Sequence, residues 1–287
     1  MSIVIDAHQH FWDPARAEYP WMAGAEMAPI RRAFGPSDLA PLLAANGVDA
    51  SIVVQCRASL EETEEFLGIA DATPFVVGVV GWVDLADAAV GAMLDRLRAF
   101  PGGAKLAGIR HQVHDEADAD WLSRADIRRG LAAVFERELA YDLLVRTREL
   151  PAAIGVARAF PHGRFVLDHA AKPPIAAGFS QAWADEIAEL AACGNVWCKV
   201  SGLATEANWN DWDAERLFPV VAHVAKCFGE DRLILGSDWP VCLLAGSYGT
   251  VKRAFDECLG KLGAGFHAKA LGANAQRAYR LPSGGFG

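Results

Sequence analysis

The sequence predicts an α/β protein built as a (β/α)8 barrel, with long loops after strands one, four and seven. Three observations support this fold. Eight short runs rich in β-branched residues recur along the chain, several of them are apolar almost throughout, and helix-like segments separate them. Strands buried on both faces have this composition, as in a parallel sheet covered by helices. An open doubly wound sheet is the alternative architecture.

The predicted strands share short length and apolar character. They are Ile3–Ala7, Ser51–Cys56, Phe75–Val83, Leu106–His111, Asp142–Val145, Arg164–Asp168, Val196–Val200 and Arg232–Gly236. The longest of these runs is interrupted by two glycines and is far too short to cross a membrane.

Helix boundaries are marked by capping residues. Ser59 and Glu62 have the spacing of a capping box, and Gly47 is placed to end the first helix. The predicted helices are Asp38–Ala45, Glu64–Ala70, Asp87–Phe100, Arg124–Ala140, Pro151–Phe160, Gln181–Cys193, Asp213–Phe228 with a bend near Pro219, Thr250–Leu262 and His267–Tyr279. We expect a single domain over residues 1–287. The long loops Phe11–Gly35, Gln112–Ser123 and Gly202–Trp212 are expected to wall a pocket.

Composition excludes several classes of protein. The chain has 287 residues, 52% of them hydrophobic and 22% charged, which is typical of a globular core and not of disorder. A net charge of −9 without a basic run makes a nucleic-acid or anionic-membrane partner a poor fit. The six cysteines form no CxxC pair, so we expect reduced thiols. The first residues enter a strand without a secretory pattern, so we expect a cytoplasmic protein.

Nucleotide-binding and common hydrolase motifs are absent from the sequence. No GxGxxG, GxxxxGK[ST], GxSxG or HExxH pattern occurs, so phosphate-cradling loops, the serine-hydrolase nucleophile and the helical zinc motif are not expected.

Polar residues end the predicted strands, where a barrel gathers its chemistry. His8 and His10 are two apart on strand one, so both should point to one face together with Asp6. Such a pair is typical of metal ligands or substrate-polarising groups, although a hydrogen-bonded pair in a polar layer would look the same. Asp238 follows strand eight and could bind a metal, accept a proton from water, or cap a turn.

Further candidates follow strands four to six. His169 could bind a metal or a carbonyl oxygen, and Lys172 is a cation held before a Pro-Pro turn. Arg110 and His111 are adjacent, so only one can point into the barrel mouth, where it would bind substrate or form a rim ion pair. Arg146 has the same two interpretations. Several tryptophans lie in or near the loops, and Trp12 and Trp239 are candidates for stacking on a substrate.

Taken together, these motifs resemble the amidohydrolase superfamily, and within it the metal-dependent-hydrolase-like branch that contains sugar lactonases. The resemblance is carried in order by Asp6–Asp13, Gly108–His111, Asp168-His169 with Lys172-Pro173, Ser201–Glu206 and Gly236–Cys242. It implies a distorted barrel and hydrolysis of a small lactone of the L-fucono- or L-rhamnonolactone type. In this chain no lysine or glutamate ends strand four and no histidine ends strand five, so a two-metal centre is not expected.

The cofactor and the reaction remain open at this point. His8, His10, His169 and Asp238 suffice for one zinc-like ion, yet the resemblance also covers lactonases that use no metal. An aromatic-dicarboxylate lactonase or a metal-dependent decarboxylase of the same fold is the alternative reaction. A non-catalytic ligand-binding barrel is the alternative class. The only partner expected is the small substrate, and the sequence leaves the oligomeric state open.

Overall fold

The computed structural model describes residues 3–282, and the other positions of the predicted 1–287 domain lie outside the described residues. Eight strands form one sheet in sequence order, and every neighbouring pair is parallel. The strands are β1 Ile5–Gln9, β2 Ala50–Val54, β3 Val76–Gly81, β4 Leu106–His111, β5 Ala140–Leu143, β6 Arg164–Leu167, β7 Val196–Val200 and β8 Leu233–Leu235. Backbone hydrogen bonds join β1 to the segment after β8, from Asp238 N to His8 O (2.8 Å) and from His10 N to Trp239 O (2.7 Å). The predicted (β/α)8 barrel is confirmed.

Helices connect successive strands on the outside of the barrel. They are α1 Pro36–Ala45, α2 Leu60–Ala72, α3 Val90–Ala99, α4 Ala125–Glu136, α5 Leu150–Ala159, α6 Gln181–Ala191, α7 Ala214–Phe228, α8 Tyr248–Leu262, α9 Ala264–Ala268 and α10 Asn274–Tyr279. The predicted last helix, His267–Tyr279, is divided by a π-helical turn over Lys269–Ala273. Within the described residues, no helix is both long and apolar enough to cross a membrane.

The C-terminal helix closes the end of the barrel opposite the loops. Residues near the starts of the strands, among them Ile5, Ala50 and Ala140, form a core cluster with Tyr279 and Leu281. A second, larger core lies between the strands and the outer helices. The floor of the barrel is therefore apolar and closed, which leaves the carboxyl ends of the strands as the open face.

Strand β1 differs from its prediction in a way that matters for the site. It runs Ile5–Gln9, two residues later than expected, and its pairing with β2 shifts register between Asp6 and Gln9. His8 and His10 still meet, but Asp6 does not reach either ring. Its carboxylate accepts from the backbone N–H of Ser237 (2.8 Å) and from the Tyr248 hydroxyl (3.0 Å). The expectation that Asp6 shares their face is wrong, because a bulge breaks the two-residue alternation.

Two smaller predictions have different outcomes. All six cysteines are free, in agreement with the expected reduced thiols. Ser59 caps α2, accepting from Glu62 N at 3.2 Å, but the Glu62 carboxylate turns away to accept from Cys56 N (2.8 Å) and Arg57 N (3.1 Å). Only one half of the predicted capping box is formed, because the backbone amides of Cys56 and Arg57, which follow β2, bind the same carboxylate.

Candidate active site

Four buried side chains converge at the mouth of the barrel. One oxygen of Asp238, Oδ1, lies 3.3 Å from His10 Nε2, 3.7 Å from His8 Nε2 and 4.0 Å from His169 Nε2. The two Nε2 atoms of His8 and His10 are 3.2 Å apart. The structure therefore brings together four residues that the sequence analysis singled out at the ends of strands one, six and eight. They meet because the carboxyl ends of the strands of a parallel barrel converge at one face.

Unusual backbone conformations place two of these residues. His169, Ala170, Ala171 and Lys172 all have left-handed backbone, with φ between 49° and 60°, and Asp238 has φ of 59°. L-residues adopt this region at an energetic cost, so the surrounding packing must impose it. The turn after β6 directs His169 towards Asp238. Gly202 makes room for it, since a Cβ there would lie 2.5 Å from His169 Nδ1.

Hydrogen bonds to the far side of the rings fix which nitrogen faces Asp238. His10 Nδ1 lies 2.7 Å from the Val54 carbonyl, which can only accept, so the proton of neutral His10 is on Nδ1. Its Nε2 lone pair then faces the Asp238 carboxylate with no hydrogen between them. His169 Nδ1 is held by the Ser201 hydroxyl at 2.9 Å. A lone pair and a carboxylate oxygen at this distance repel each other unless a cation lies between them.

The donor set fits a divalent metal ion. Ligands at about 2.0–2.1 Å from a tetrahedral zinc ion lie about 3.3 Å from one another, close to the 3.2 Å and 3.3 Å separations measured from His10. His8, His10 and Asp238 form one group able to hold an ion, and His8, Asp168 and His169 form another that shares His8. In the second group Asp168 already meets Arg110 and Lys199. The first group, with His169 nearby, is therefore the better site.

A network of four buried charges lies beside His8. Lys199 on β7 is fully buried, and its Nζ contacts Asp142, lies 2.9 Å from Asp168 Oδ1 and lies 3.1 Å from His8 Nδ1. Arg110 donates to Asp168 Oδ2 at 2.8 Å. These two cations and two carboxylates balance, so the barrel interior carries no net charge from them. The network also engages Asp168, the carboxylate that a second ion beside His8 would need.

The electrostatics of the site keep Asp238 ionised and keep His8 and His169 neutral. Burial lowers the pKa of His169 to about 4 and lowers that of His8 well below its usual value, with nearby Lys199 acting in the same direction on His8. Burial opposes ionisation of Asp238, but the imidazoles of His169, His10 and His8 outweigh it and hold its pKa below its ordinary value. The site thus presents the Asp238 carboxylate and the neutral imidazoles of His8 and His169 at neutral pH, the forms that bind a metal.

A cavity of about 300 Å³ opens above these residues. His10, His169, Asp238 and Arg110 form its base, and Lys172 and Arg146 line it together with Glu206, Trp21 and Trp209. This volume suits one small ring. A larger, open cleft of about 770 Å³ lies between the first long loop and α2, but none of the four converging residues lines it.

Three predicted substrate-binding residues do not line the cavity. His111 points the other way from Arg110, where it stacks on Trp121 with ring centroids 4.3 Å apart and is hydrogen-bonded to Glu116. Trp12 and Trp239 are almost fully buried behind the site. The tryptophans that do line it are Trp21 and Trp209, which come from the first and third long loops.

No motif in the sequence indicated a role for Lys199, Asp142 or Glu206. A lysine inside the otherwise apolar run Val-Trp-Cys-Lys-Val was the available signal for Lys199, because a lysine is rarely fully buried without a partner. Glu206 stands in a loop already expected to wall the pocket. The partners of these residues come from distant parts of the chain, and no spacing in the sequence connects them.

Comparisons with known proteins identify the family of this chain. The family model described as Amidohydrolase matches residues 5–281. The L-fucono-1,5-lactonase of Burkholderia ambifaria is 44% identical, over 99% of this chain and 98% of that protein. The L-fucono-1,5-lactonase of Burkholderia multivorans is 39% identical, over 98% of this chain and 97% of that protein. A crystal structure of an amidohydrolase from Burkholderia multivorans with bound zinc has a TM-score of 0.92 at 37% identity, covering 98% of this chain and 100% of that one. The chain belongs to the amidohydrolase family.

Proposed function

We propose that this protein hydrolyses a small sugar lactone of the L-fucono-1,5-lactone type. The observation that carries the proposal is the Asp238 carboxylate beside three imidazole nitrogens, at the base of a cavity with a polar rim. The two lactonase relatives, aligned over nearly the whole chain, support the same substrate class. Ester-type hydrolysis needs a base for water and cationic donors for the carbonyl oxygen, and the cavity supplies both.

We further propose that His8, His10 and Asp238, with His169 adjacent, hold one divalent ion, and zinc suits their nitrogen and oxygen donors. An ion there would lower the pKa of water and polarise the lactone carbonyl. His8 Nδ1 lies 3.3 Å from Asp168 Oδ1, so donation to this carboxylate would leave Nε2 free as a ligand. Asp168 thereby takes the orienting role that the sequence assigned to Asp6.

The chain's own residues account for the proton transfers. Asp238 accepts a proton from water as the water oxygen bonds to the ring carbonyl carbon. Lys172 and Arg110, two of the cations that line the cavity, donate hydrogen bonds as negative charge develops on the carbonyl oxygen. When the bond from that carbon to the ring oxygen breaks, Asp238 returns the proton to the ring oxygen. The product is an open-chain hydroxy acid.

A pH-indicator assay over a panel of aldonolactones tests the proposal. We expect turnover of 1,5-lactones of six-carbon deoxy sugars, reduced by chelation and restored by added zinc. The panel should include an aromatic lactone dicarboxylate and an aromatic carboxylate whose decarboxylation releases carbon dioxide. Preference for either of these, or no turnover at all, would refute sugar-lactone hydrolysis and favour the corresponding alternative.

A further inference from the structure

Glu206 connects two cations at the rim of the cavity. It lies in the turn after β7, and its Oε1 is 3.1 Å from Lys172 Nζ while its Oε2 is 3.5 Å from Arg146 Nη1. The side chains of Glu206 and Lys172 are 14% and 19% exposed, so their contact is sheltered from bulk solvent, whereas the Arg146 side chain is half-exposed. Among the described residues that line the cavity, the only carboxylates are Glu206 and Asp238.

Glu206 neutralises part of the positive charge at the rim. Arg110 is paired with Asp168. Lys172 and Arg146 both contact the Glu206 carboxylate. A ligand carboxylate placed at the rim would therefore compete with Glu206 for these two cations.

We propose that Glu206 is the specificity-determining residue, which selects an uncharged, polyhydroxylated lactone and rejects a lactone that carries carboxylates. This inference rests on the proposed lactone hydrolysis. A sugar hydroxyl both donates and accepts hydrogen bonds, whereas an ionised carboxylate only accepts. Glu206 can accept from a hydroxyl while Lys172 and Arg146 donate to its oxygen. A carboxylate in the same place would face Glu206 at close range and be repelled.

The test is Glu206→Gln, which keeps the size of the side chain and removes its charge. We expect KM for L-fucono-1,5-lactone to rise about tenfold with a much smaller change in kcat, since tenfold corresponds to about 1.4 kcal/mol, close to the contribution of one hydrogen bond to a charged group. We also expect the variant to gain affinity for 1,3-benzenedicarboxylate, a planar dianion, by at least about tenfold in equilibrium calorimetry. A merely structural role for Glu206 would not produce this gain of anion binding.

Three further variants test whether the effects come from the charge of Glu206. Glu189→Gln removes the α6 carboxylate of an exposed ion pair with Arg158 of α5, and should change neither KM nor dianion binding. Glu206→Gln combined with Arg146→Gln removes one negative and one positive charge, which restores the net charge of the unaltered rim, and should lose the gained dianion affinity. Arg146→Gln alone tests the idea even if Glu206→Gln does not fold, because it should weaken lactone binding without any gain for the dianion.

The outcomes separate the two proposals. Unchanged lactone KM and dianion affinity in a folded Glu206→Gln variant would overturn the role of Glu206, and so would an equal dianion gain in Arg146→Gln. Tight dianion binding by the unaltered protein would overturn it as well. No sugar-lactone turnover by the unaltered protein would instead contradict the proposed function. Calorimetry with the dianion would still test whether Glu206 excludes carboxylates from the rim of the cavity.

Discussion

Asp238 is held in a left-handed backbone conformation with one oxygen directed at three imidazoles. Asp238→Asn keeps its shape and removes its ability to accept a proton. We expect lactone turnover to fall by about 10²–10⁴-fold, the usual contribution of general-base catalysis. The rate should be measured with saturating zinc, beside the melting temperature, so that loss of metal and loss of fold are both excluded. A folded variant that keeps more than about a tenth of the rate would remove Asp238 from the mechanism.

Glu62 is a buried carboxylate away from the cavity, and burial raises its pKa from the ordinary value of 4.5 to about 7. A pKa raised on folding means that its contribution to stability is full below pH 4.5 and is lost as the pH rises through 7. Relative to Glu62→Gln, the unaltered protein should therefore lose unfolding free energy between these pH values, by at most about 1.4 kcal/mol per pH unit.

Urea unfolding at a series of pH values measures this difference. Glu65→Gln, an exposed position on α2 paired with Arg16, is the matched control. A stability difference between the unaltered protein and Glu62→Gln that stays constant across the window would show that Glu62 is ionised throughout.

At the level of elements, the seam between β1 and β8 is held by Asp6. Its Oδ1 accepts from Ser237 N and His8 N, and its Oδ2 accepts from the Tyr248 hydroxyl of α8. Tyr248→Phe would leave a buried carboxylate oxygen without a donor. We expect a loss of about 1–3 kcal/mol in unfolding free energy, and a lower kcat because this seam carries both His8 and Asp238.

Chemical denaturation together with steady-state kinetics checks this expectation. Tyr19→Phe removes a partly buried hydroxyl whose contact with Asp13 N is long, at 3.4 Å, and should have a smaller effect. Equal effects of the two variants would show that the seam does not depend on the Tyr248 hydroxyl.

Element types could be predicted because apolar runs and caps are local properties of the sequence. Their exact pairing could not, as β1 shows. The register shift between Asp6 and Gln9 arises from contacts with β2 and with the segment after β8, which are distant in sequence. The same limit applies to Glu62, where Ser59 correctly predicts the cap but the free amides of Cys56 and Arg57 redirect the carboxylate.

For the whole molecule, we expect zinc to stabilise the fold by binding at one site per chain. At a free ion concentration about 100 times Kd, binding contributes about 2.7 kcal/mol, which raises the melting temperature of a domain of this size by several degrees. Elemental analysis after dialysis should find no more than one tightly held ion. Asp168, the carboxylate that a second ion beside His8 would need, is already paired with Arg110 and Lys199.

Two histidine variants provide the comparison. His10→Gln should lose the zinc-dependent shift of the melting temperature, whereas His111→Gln, on the outer side of β4, should keep it. Two ions per active chain, or the same shift in both variants, would contradict the single site.

One geometric rule accounts for the part of the site that could be predicted from the sequence. Strand ends of a parallel barrel converge, and that rule placed His8, His10, His169 and Asp238 together. It could not say which of Arg110 and His111 faces inward, nor that Trp12 and Trp239 are covered while Trp21 and Trp209 are open. Those outcomes depend on how long loops fold over the barrel, and loop conformation has no periodic pattern.

The left-handed turn that carries His169 has a consequence for anyone seeking a more robust variant of this protein. Each L-residue in this conformation costs about 1–2 kcal/mol, and glycine relieves that cost. A library screened for heat resistance alone would therefore favour glycine at Ala170 or Ala171. The same exchanges would free the backbone that aims His169 at Asp238. Heat resistance and turnover are thus in conflict within this one turn, and selection should score both together.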